Sequence, residues 1–144
     1  MSATRNDIYN RGGAIVEAAI TLQVLFLLLF GLMEIGRFIQ TQEVLTNAAR
    51  EGARYGVTPL PGTTILPEPS DIRSRVETFA QSAGMTGAAV EVIPETVAYG
   101  PGEDTELTRV RVELSYSLLT GLAWFDMLRV PLTGEAVMRN ETSP

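Results

Sequence analysis

The chain lacks cysteine and histidine, and all 11 of its basic residues are arginine. Without cysteine there is no disulfide framework. Without histidine, Cys/His zinc sites, Ser-His triads and the commonest general base are all excluded. The sequence also has neither a GxGxxG nor a GxxxxGK[ST] motif for phosphates, and its net charge of −6 disfavours a nucleic-acid groove. We therefore predict no catalytic residue, no metal, no cofactor, no nucleic acid and no small-molecule substrate.

A long apolar run lies near the amino terminus. It extends from Ala18 to Met33 and carries no charge. A helix over residues 13–33 would be about 30 Å long, which matches a bilayer core of about 30 Å. The run predicts a transmembrane helix over residues 14–33. Two alternatives are the core helix of a soluble protein and a cleaved secretory signal. The second is disfavoured because the helical pattern continues through Met33–Phe38 without a small-residue cleavage site.

One acid, Glu17, stands just before this uncharged run. It could be tolerated as an interfacial residue near a helix amino terminus. Alternatively, it pairs with a positive charge supplied from elsewhere, which would compensate two groups that are each costly alone in the membrane. A cut between Gly12 and Gly13 would create such a charge, because Gly13 would then carry a new ammonium. The carboxylate of one subunit could meet the ammonium of its neighbour.

Three stretches carry a resemblance to known families. Arg11-Gly12, followed by Gly13–Glu17 and the apolar helix, resembles the class III signal of type IV prepilins and pseudopilins. Two further stretches resemble the TadE-like family, namely Phe30–Arg37 (FGLMEIGR) and Leu45–Tyr55 (LTNAAREGARY). The members of this family are minor pseudopilins of the tight-adherence (Tad, Flp) pilus machine. The family usually has an aromatic residue after the acid, where this chain has Ala18.

The resemblance implies roles for four residues. Prepilin peptidase would recognise Arg11, Gly12, Gly13 and Glu17, and subunits would pair through Gly13 and Glu17. The implied partners are the inner membrane, the peptidase, other pilins or pseudopilins and the Tad inner-membrane machinery. The resemblance also implies a pilin-like fold.

The chain divides into four predicted parts. They are a prepilin leader (1–12), a long helix (13–56), a proline-rich linker (57–69) and a small α+β head (70–144). The leader carries a side-chain charge of about +1, which favours a cytoplasmic amino terminus and a periplasmic head.

Small residues form two ridges on the second half of the long helix. Such ridges allow another backbone to approach closely, either from a second subunit or from this chain's own sheet, and we favour the chain's own sheet. The first ridge is Ala48, Gly52 and Gly56, and the second is Ala49 and Ala53.

The head is predicted to have one helix and a roughly three-stranded antiparallel sheet. The helix would begin with Ser70 as N-cap and end at Gly84, with Ile72, Val76, Phe79, Ala80 and Ala83 facing the core. Strands are predicted over 89–93, 109–118 and 132–140, the middle one from its clean alternation. The apolar segment 119–128 either forms a short closing helix or lies exposed at the membrane or a subunit contact.

Three functions compete at this point. The first is a minor pseudopilin, processed by prepilin peptidase and acting in pilus assembly and adherence. The second is a permanently anchored single-pass protein that displays a periplasmic binding or scaffold domain for the secretion machinery. An enzyme is disfavoured because its candidate acids have no matched base or nucleophile; these acids are Glu91, Glu95, Glu103 and Asp104.

Overall fold

The computed structural model describes residues 4–98, 104–118 and 129–140. The fold is α+β, as predicted, with two helices and one three-stranded antiparallel sheet. The elements are α1 (Thr4–Val57), α2 (Pro69–Ser82), β1 (Ala89–Ala98), β2 (Asp104–Ser117) and β3 (Arg129–Arg139). The chain forms two compact units, which we call the anchor unit (Met1–Arg37) and the head unit (Phe38–Pro144). Helix α1 contributes to both.

The anchor unit is a helix whose apolar side chains are exposed. Every residue from Gly12 to Leu29 is exposed, including Ile15, Phe26 and Leu28. This helix is long and apolar enough to cross a membrane, and none of its most apolar window is buried. The core helix of a soluble protein would be mostly buried, so the exposure argues against that alternative. The helix suggests single-pass membrane anchoring.

The head unit is built on a sheet with strand order β1-β2-β3. Alternation along β2 buries Val110 and Val112 on one face, while the intervening charged residues lie on the other. The second half of α1 and the buried side of α2 share one core with the inner face. The largest contributions come from Leu45 and Val76, which are both fully buried. The small sheet therefore obtains much of its core from α1.

Helix α1 approaches β3 closely at Gly134. A Cβ atom on Gly134 would overlap with the backbone carbonyl group of Leu45, so only glycine fits there without a shift of the backbone. Next to it, Gln42 Nε2 donates a hydrogen bond to the carbonyl oxygen of Thr133 at 2.8 Å. These contacts fix the register of α1 against the edge of the sheet.

Helix α2 differs from the prediction at its start. Its N-cap is Glu68, and Pro69 occupies the first turn, so the assignment of Ser70 as N-cap was wrong. Proline suits the first helical position because its φ is already helical and its missing N–H would have no partner there. The predicted end is correct, since Ala83 is the C-cap and Gly84 has a φ of +79°.

The buried face of α2 is also narrower than predicted. Ile72, Val76 and Ala80 are buried, whereas Phe79 is 37% exposed and Ala83 is exposed. The buried residues are four apart, which is the narrow stripe of a helix that meets the core along one line. The prediction counted every apolar residue as core-facing, so it included Phe79 and Ala83, which lie outside this line.

All three strands are longer than predicted. β1 continues through Pro94 to Ala98, β2 already begins at Asp104, and β3 already begins at Arg129. Proline is tolerated within β1 because this strand lies at the edge of the sheet. The predicted apolar segment 119–128 lies outside the described residues.

Candidate functional site in the first helix

The amino-terminal end of the anchor unit presents two adjacent glycines. Gly12 and Gly13 are exposed, and an added Cβ atom would meet nothing within 4 Å at either position. Glycine costs about 1 kcal/mol relative to alanine inside a helix. Close packing within this chain does not account for that cost. The backbone of Arg11 is helical, and its side chain lies outside the described residues.

Glu17 lies on the same exposed stretch, one turn beyond Gly13. A shallow groove on the helix surface brings it together with Ala14, Ala18 and Thr21. Leu22 and Leu25 also line this groove, but Ala14, Ala18 and Thr21 are small and leave the carboxylate open to a group arriving from outside the chain. The alanine after the acid contributes to this openness, where a bulkier residue would cover more of the groove.

A second acid of the anchor unit, Glu34, is buried. Its exposure is 5%, and its carboxylate lies 3.5 Å from Nη1 of Arg37, three residues further along α1. The spacing predicts this pair, and the structure places the two residues together. The burial of Glu34 could not be read from the sequence.

The five ridge residues lie in the interior of the head unit. Ala48, Ala49 and Ala53 are fully buried, and they contribute to the core shared with α2 and the sheet. At Gly52, an added Cβ would overlap with a methyl group of Val76. At Gly56 it would lie 2.7 Å from Ile72 Cδ1 and 3.1 Å from Thr108 Cγ2. The small residues therefore bring α1 close to α2 and the sheet of the same chain.

An acid on α1 also connects the two helices of the head unit. Glu51 accepts hydrogen bonds from Arg54 at 2.9 Å and from Arg75 of α2 at 3.1 Å. The hydrogen bond from Arg54 lowers the pKa of Glu51, and Arg75 lowers it further. The guanidinium of Arg75 also lies 6.0 Å from the ring centre of Tyr55. Sequence reasoning missed the contact with Arg75, which is distant along the chain and follows no local spacing.

The outer face of the sheet carries a network of ion pairs across all three strands. Arg109 of β2 reaches Glu95 of β1 at 2.9 Å and also pairs with Glu135 of β3. Arg111 lies 3.0 Å from Glu135 and 3.9 Å from Glu91. The pKa of Glu135 is lowered by Arg109 and Arg111, and the pKa of Arg109 is raised by Glu95 and Glu135.

Two of the candidate acids considered from the sequence, Glu91 and Glu95, belong to this network. Their arrangement is that of ion pairs on a solvated sheet face. Glu103 and the side chain of Asp104 lie outside the described residues. Over the ranges 12–97, 105–118 and 129–140, where side chains are described, no group of three or more acids is placed to hold a metal ion.

The family model described as TadE-like protein matches residues 12–54. We call residues 12–54, which resemble this family, the TadE-like segment. The segment includes the paired glycines, Glu17, Glu34 and four of the five ridge residues. It covers under a third of the chain, and Gly56, α2 and the whole sheet lie beyond it. No curated protein and no solved structure matches the chain.

The match confirms the predicted resemblance to the TadE-like family. It implies a role related to the Tad pilus, and the one long apolar helix among the described residues fits a protein anchored in a membrane. The TadE-like segment begins at Gly12, which is the residue before the predicted cut.

Proposed function

We propose that this chain is a minor pseudopilin of a Tad/Flp-type pilus, trimmed between Gly12 and Gly13 by a prepilin peptidase and acting in pilus assembly and adherence. The trimmed chain begins with the ammonium of Gly13. The carboxylate of Glu17 forms an ion pair with the Gly13 ammonium of a neighbouring subunit. The observation that carries the proposal is a pair of exposed glycines followed by an exposed acid at the start of a TadE-like segment.

Small size at the cut site supports this proposal. A peptidase must bring the backbone of the scissile bond into its active site, and glycine offers no side chain to obstruct that approach. Gly12 and Gly13 have no packing reason within the chain to be glycine. Processing would give these two glycines a role that contacts among the described residues do not give them.

The properties of Glu17 support its role in pairing. A carboxylate at the edge of the apolar phase costs free energy unless a positive group reaches it. The small neighbours around Glu17 leave room for such a group. An ammonium from a second subunit would compensate the carboxylate and hold two anchor helices in a fixed register.

The proposed location is the bacterial inner membrane, crossed once by residues 14–33. The amino terminus faces the cytoplasm and the head faces the periplasm, in keeping with the basic side chains Arg5 and Arg11 of the leader. The partners are the peptidase, other pilins or pseudopilins and the Tad inner-membrane machinery.

Substitution of Gly12 tests the cut site. We expect Gly12→Leu to block trimming, so that the untrimmed chain accumulates in membranes of its own host. Gly31→Leu is the matched control, because Gly31 is also a helical glycine of the anchor unit with nothing within 4 Å of an added Cβ. Normal trimming of Gly12→Leu, measured by the size of pulse-labelled protein, would refute the proposed site.

Substitution of Glu17 separates the pseudopilin from the permanent anchor. Glu17→Gln keeps the shape of the side chain but removes its charge, and we expect piliation to be lost while the protein stays in the membrane. Glu43→Gln is the control, because Glu43 is exposed on α1 in the head unit. Full piliation with Glu17→Gln, together with an untrimmed wild-type chain, would instead indicate a permanent anchor that displays its head.

A further inference from the structure

The two edge strands of the sheet differ in how their backbone groups are covered. In an antiparallel sheet, alternate residues direct both backbone groups towards the neighbouring strand, and the residues between them direct both groups away. Asn140, which directly follows β3, shows the phase of the strand, that is, which alternate residues bond to β2. Its N–H donates to the carbonyl oxygen of Glu106 in β2 at 2.9 Å. The register continues without a break from this point to Arg129. Even-numbered residues of β3 therefore bond to β2, and odd-numbered residues face the open edge.

Two independent observations agree with this phase. Pro131 has no N–H, and at an odd position it needs none for the ladder. The carbonyl group of Thr133, also at an odd position, accepts its hydrogen bond from Gln42 of α1, outside the sheet. The assignment of outward-facing residues therefore rests on three separate positions.

The edge of β1 is protected at two points. Pro94 lacks an N–H, and its pairing with Thr108 places even-numbered residues of β1 on the outer side. The carbonyl group of Val90, at another even position, accepts a hydrogen bond from Arg73 of α2 at 3.2 Å. Prolines and covering side chains of this kind discourage the pairing of further strands.

Among the described residues, contacts protect the edge of β3 only in its first half. Pro131 and the Gln42 contact at Thr133 protect that half, and the backbone of α1 packs beside them on the inner face at Gly134. The second half, which we call the open β3 segment (residues 135–139), directs the backbone groups of Glu135, Val137 and Arg139 outward. Within the described ranges, the sheet has no strand beyond β3.

The side chains of the open β3 segment are self-complementary. The three outward-facing residues are acidic, apolar and basic in that order, and all three point to the exposed face of the sheet. Val137 is 40% exposed. When this segment is paired antiparallel with itself about Val137, each Glu135 lies opposite an Arg139 and each Val137 lies opposite its own copy. Opposite charges at such positions are favourable, whereas like charges destabilise the pair.

We propose that a second copy of this chain pairs with the open β3 segment, antiparallel and with a two-fold axis at Val137. The two sheets then form one continuous six-stranded sheet, joined by on the order of six backbone hydrogen bonds. Centring the pair on Glu135 or on Arg139 would instead place like charges opposite each other. Among the registers centred on an outward-facing residue, the charges favour the one at Val137, and its two-fold symmetry is that of an isologous interface.

This proposal is independent of processing at Gly12. It depends on the head unit alone, and the ion pairs that Glu135 makes with Arg109 and Arg111 remain in place, because a carboxylate accepts several hydrogen bonds. The charged pairs across the axis would share these side chains with their own chain. The backbone ladder and the Val137 contact are new to the paired form.

Cysteine cross-linking of the full chain in membranes tests the register. The chain has no cysteine, so Val137→Cys introduces one thiol per chain. Residues opposite each other in a bonded pair have Cα atoms about 5.5 Å apart, which suits a disulfide. We expect rapid formation of a disulfide-linked dimer under mild oxidation. In the control Thr133→Cys, the two thiols would be about 26 Å apart at about 3.3 Å per residue, and no dimer is expected.

The charge pattern is tested in the same background. Val137→Cys combined with Arg139→Glu places a carboxylate opposite Glu135 twice in each dimer, so we expect the cross-linked fraction to fall roughly tenfold. Equal cross-linking of Val137→Cys and Thr133→Cys, or no effect of Arg139→Glu, would overturn the proposed register. A cross-linked product with a mass other than twice that of the chain would overturn the choice of partner.

A proline pair distinguishes the two edges without cysteine. Val137→Pro removes an N–H that faces away from β2, so the ladder within the chain is kept, and we expect a monomer by mass measurement in detergent. Thr96→Pro is the matched control, because Thr96 faces outward from β1, and it should leave the dimer intact. Circular dichroism checks that both variants keep their fold. A dimer of Val137→Pro with unchanged mass would contradict the proposal.

Discussion

The two halves of α1 use the same residue types for opposite purposes. Gly12, Gly13 and Gly31 in the anchor unit have nothing within 4 Å of an added Cβ, whereas Gly52 and Gly56 in the head unit have no room for one. In the head unit, glycine is required by packing within the chain. In the described part of the anchor unit no contact requires glycine, and the proposed reason is what the helix meets outside its own chain.

The apolar residues show the same difference. Leu25 in the anchor unit is about half exposed, while Leu45 in the head unit is fully buried. One continuous helix therefore presents apolar side chains to its surroundings over its first part and to a protein core over its second. A membrane suits the first part because lipid chains are as apolar as leucine. The comparison predicts that equivalent substitutions in the two halves have different effects.

Leu45→Ala is expected to have the largest effect on the head unit. It leaves a cavity between α1 and the sheet and should lower the free energy of unfolding by about 2–5 kcal/mol. Denaturant unfolding of the full chain in mild detergent, followed by circular dichroism, measures this change. Leu25→Ala is the matched control and should leave the same transition unchanged. Equal loss of stability in both variants would remove the distinction between the halves.

Gly52→Ala is expected to have a smaller effect, of about 1–3 kcal/mol. The added methyl group overlaps with Val76 and lies 3.2 Å from Val110, so α2 or the sheet must move to make room. Gly31→Ala adds the same group where nothing lies within 4 Å, and the unfolding of the head unit should not change. A neutral result for Gly52→Ala would mean that the α1–α2 contact is looser than the structure has it.

The ion pairs of Glu51 provide the smallest of these effects on stability, and this effect depends on pH. Because Arg54 and Arg75 lower its pKa, the carboxylate stabilises the folded state above its ordinary pKa of 4.5, and this contribution is lost as the pH falls through the lowered value. Partly exposed pairs of this kind contribute about 0.2–1 kcal/mol. Thermal unfolding between pH 7 and pH 3 should therefore show a shallower acid loss in Glu51→Gln than in the wild type. Identical pH profiles would exclude a role for Glu51.

The fold class was accessible from the sequence because each main element carries a strong periodic signal. The uncharged run marks the anchor, and the alternation along β2 gives the sheet its two faces. The N-cap at Glu68 was missed because Ser70 is the better side-chain cap, whereas Pro69 decides the start through its backbone. The ends of β1, β2 and β3 were missed because they carry polar residues and proline, which are typical of loops.

The candidate site was partly accessible as well. Gly12, Gly13 and Glu17 stand out because glycines and an isolated acid are unusual at the start of an apolar helix. The contact between Glu51 and Arg75 and the cross-strand network of Arg109 could not be predicted, because both depend on how distant parts of the chain meet. The self-complementary order of Glu135, Val137 and Arg139 is visible in the sequence, but its meaning requires the strand position and phase of β3.

The mass of the amino-terminal peptide, measured on protein recovered from membranes of its own host, tests the central claim most directly. The account predicts a chain that begins at Gly13, which would give the exposed glycines of the anchor unit their function. A chain that begins at Met1 or Ser2 would contradict trimming and leave a fixed membrane anchor. A chain that begins beyond Met33 would contradict the anchor itself, because the apolar run would then have been a secretory signal.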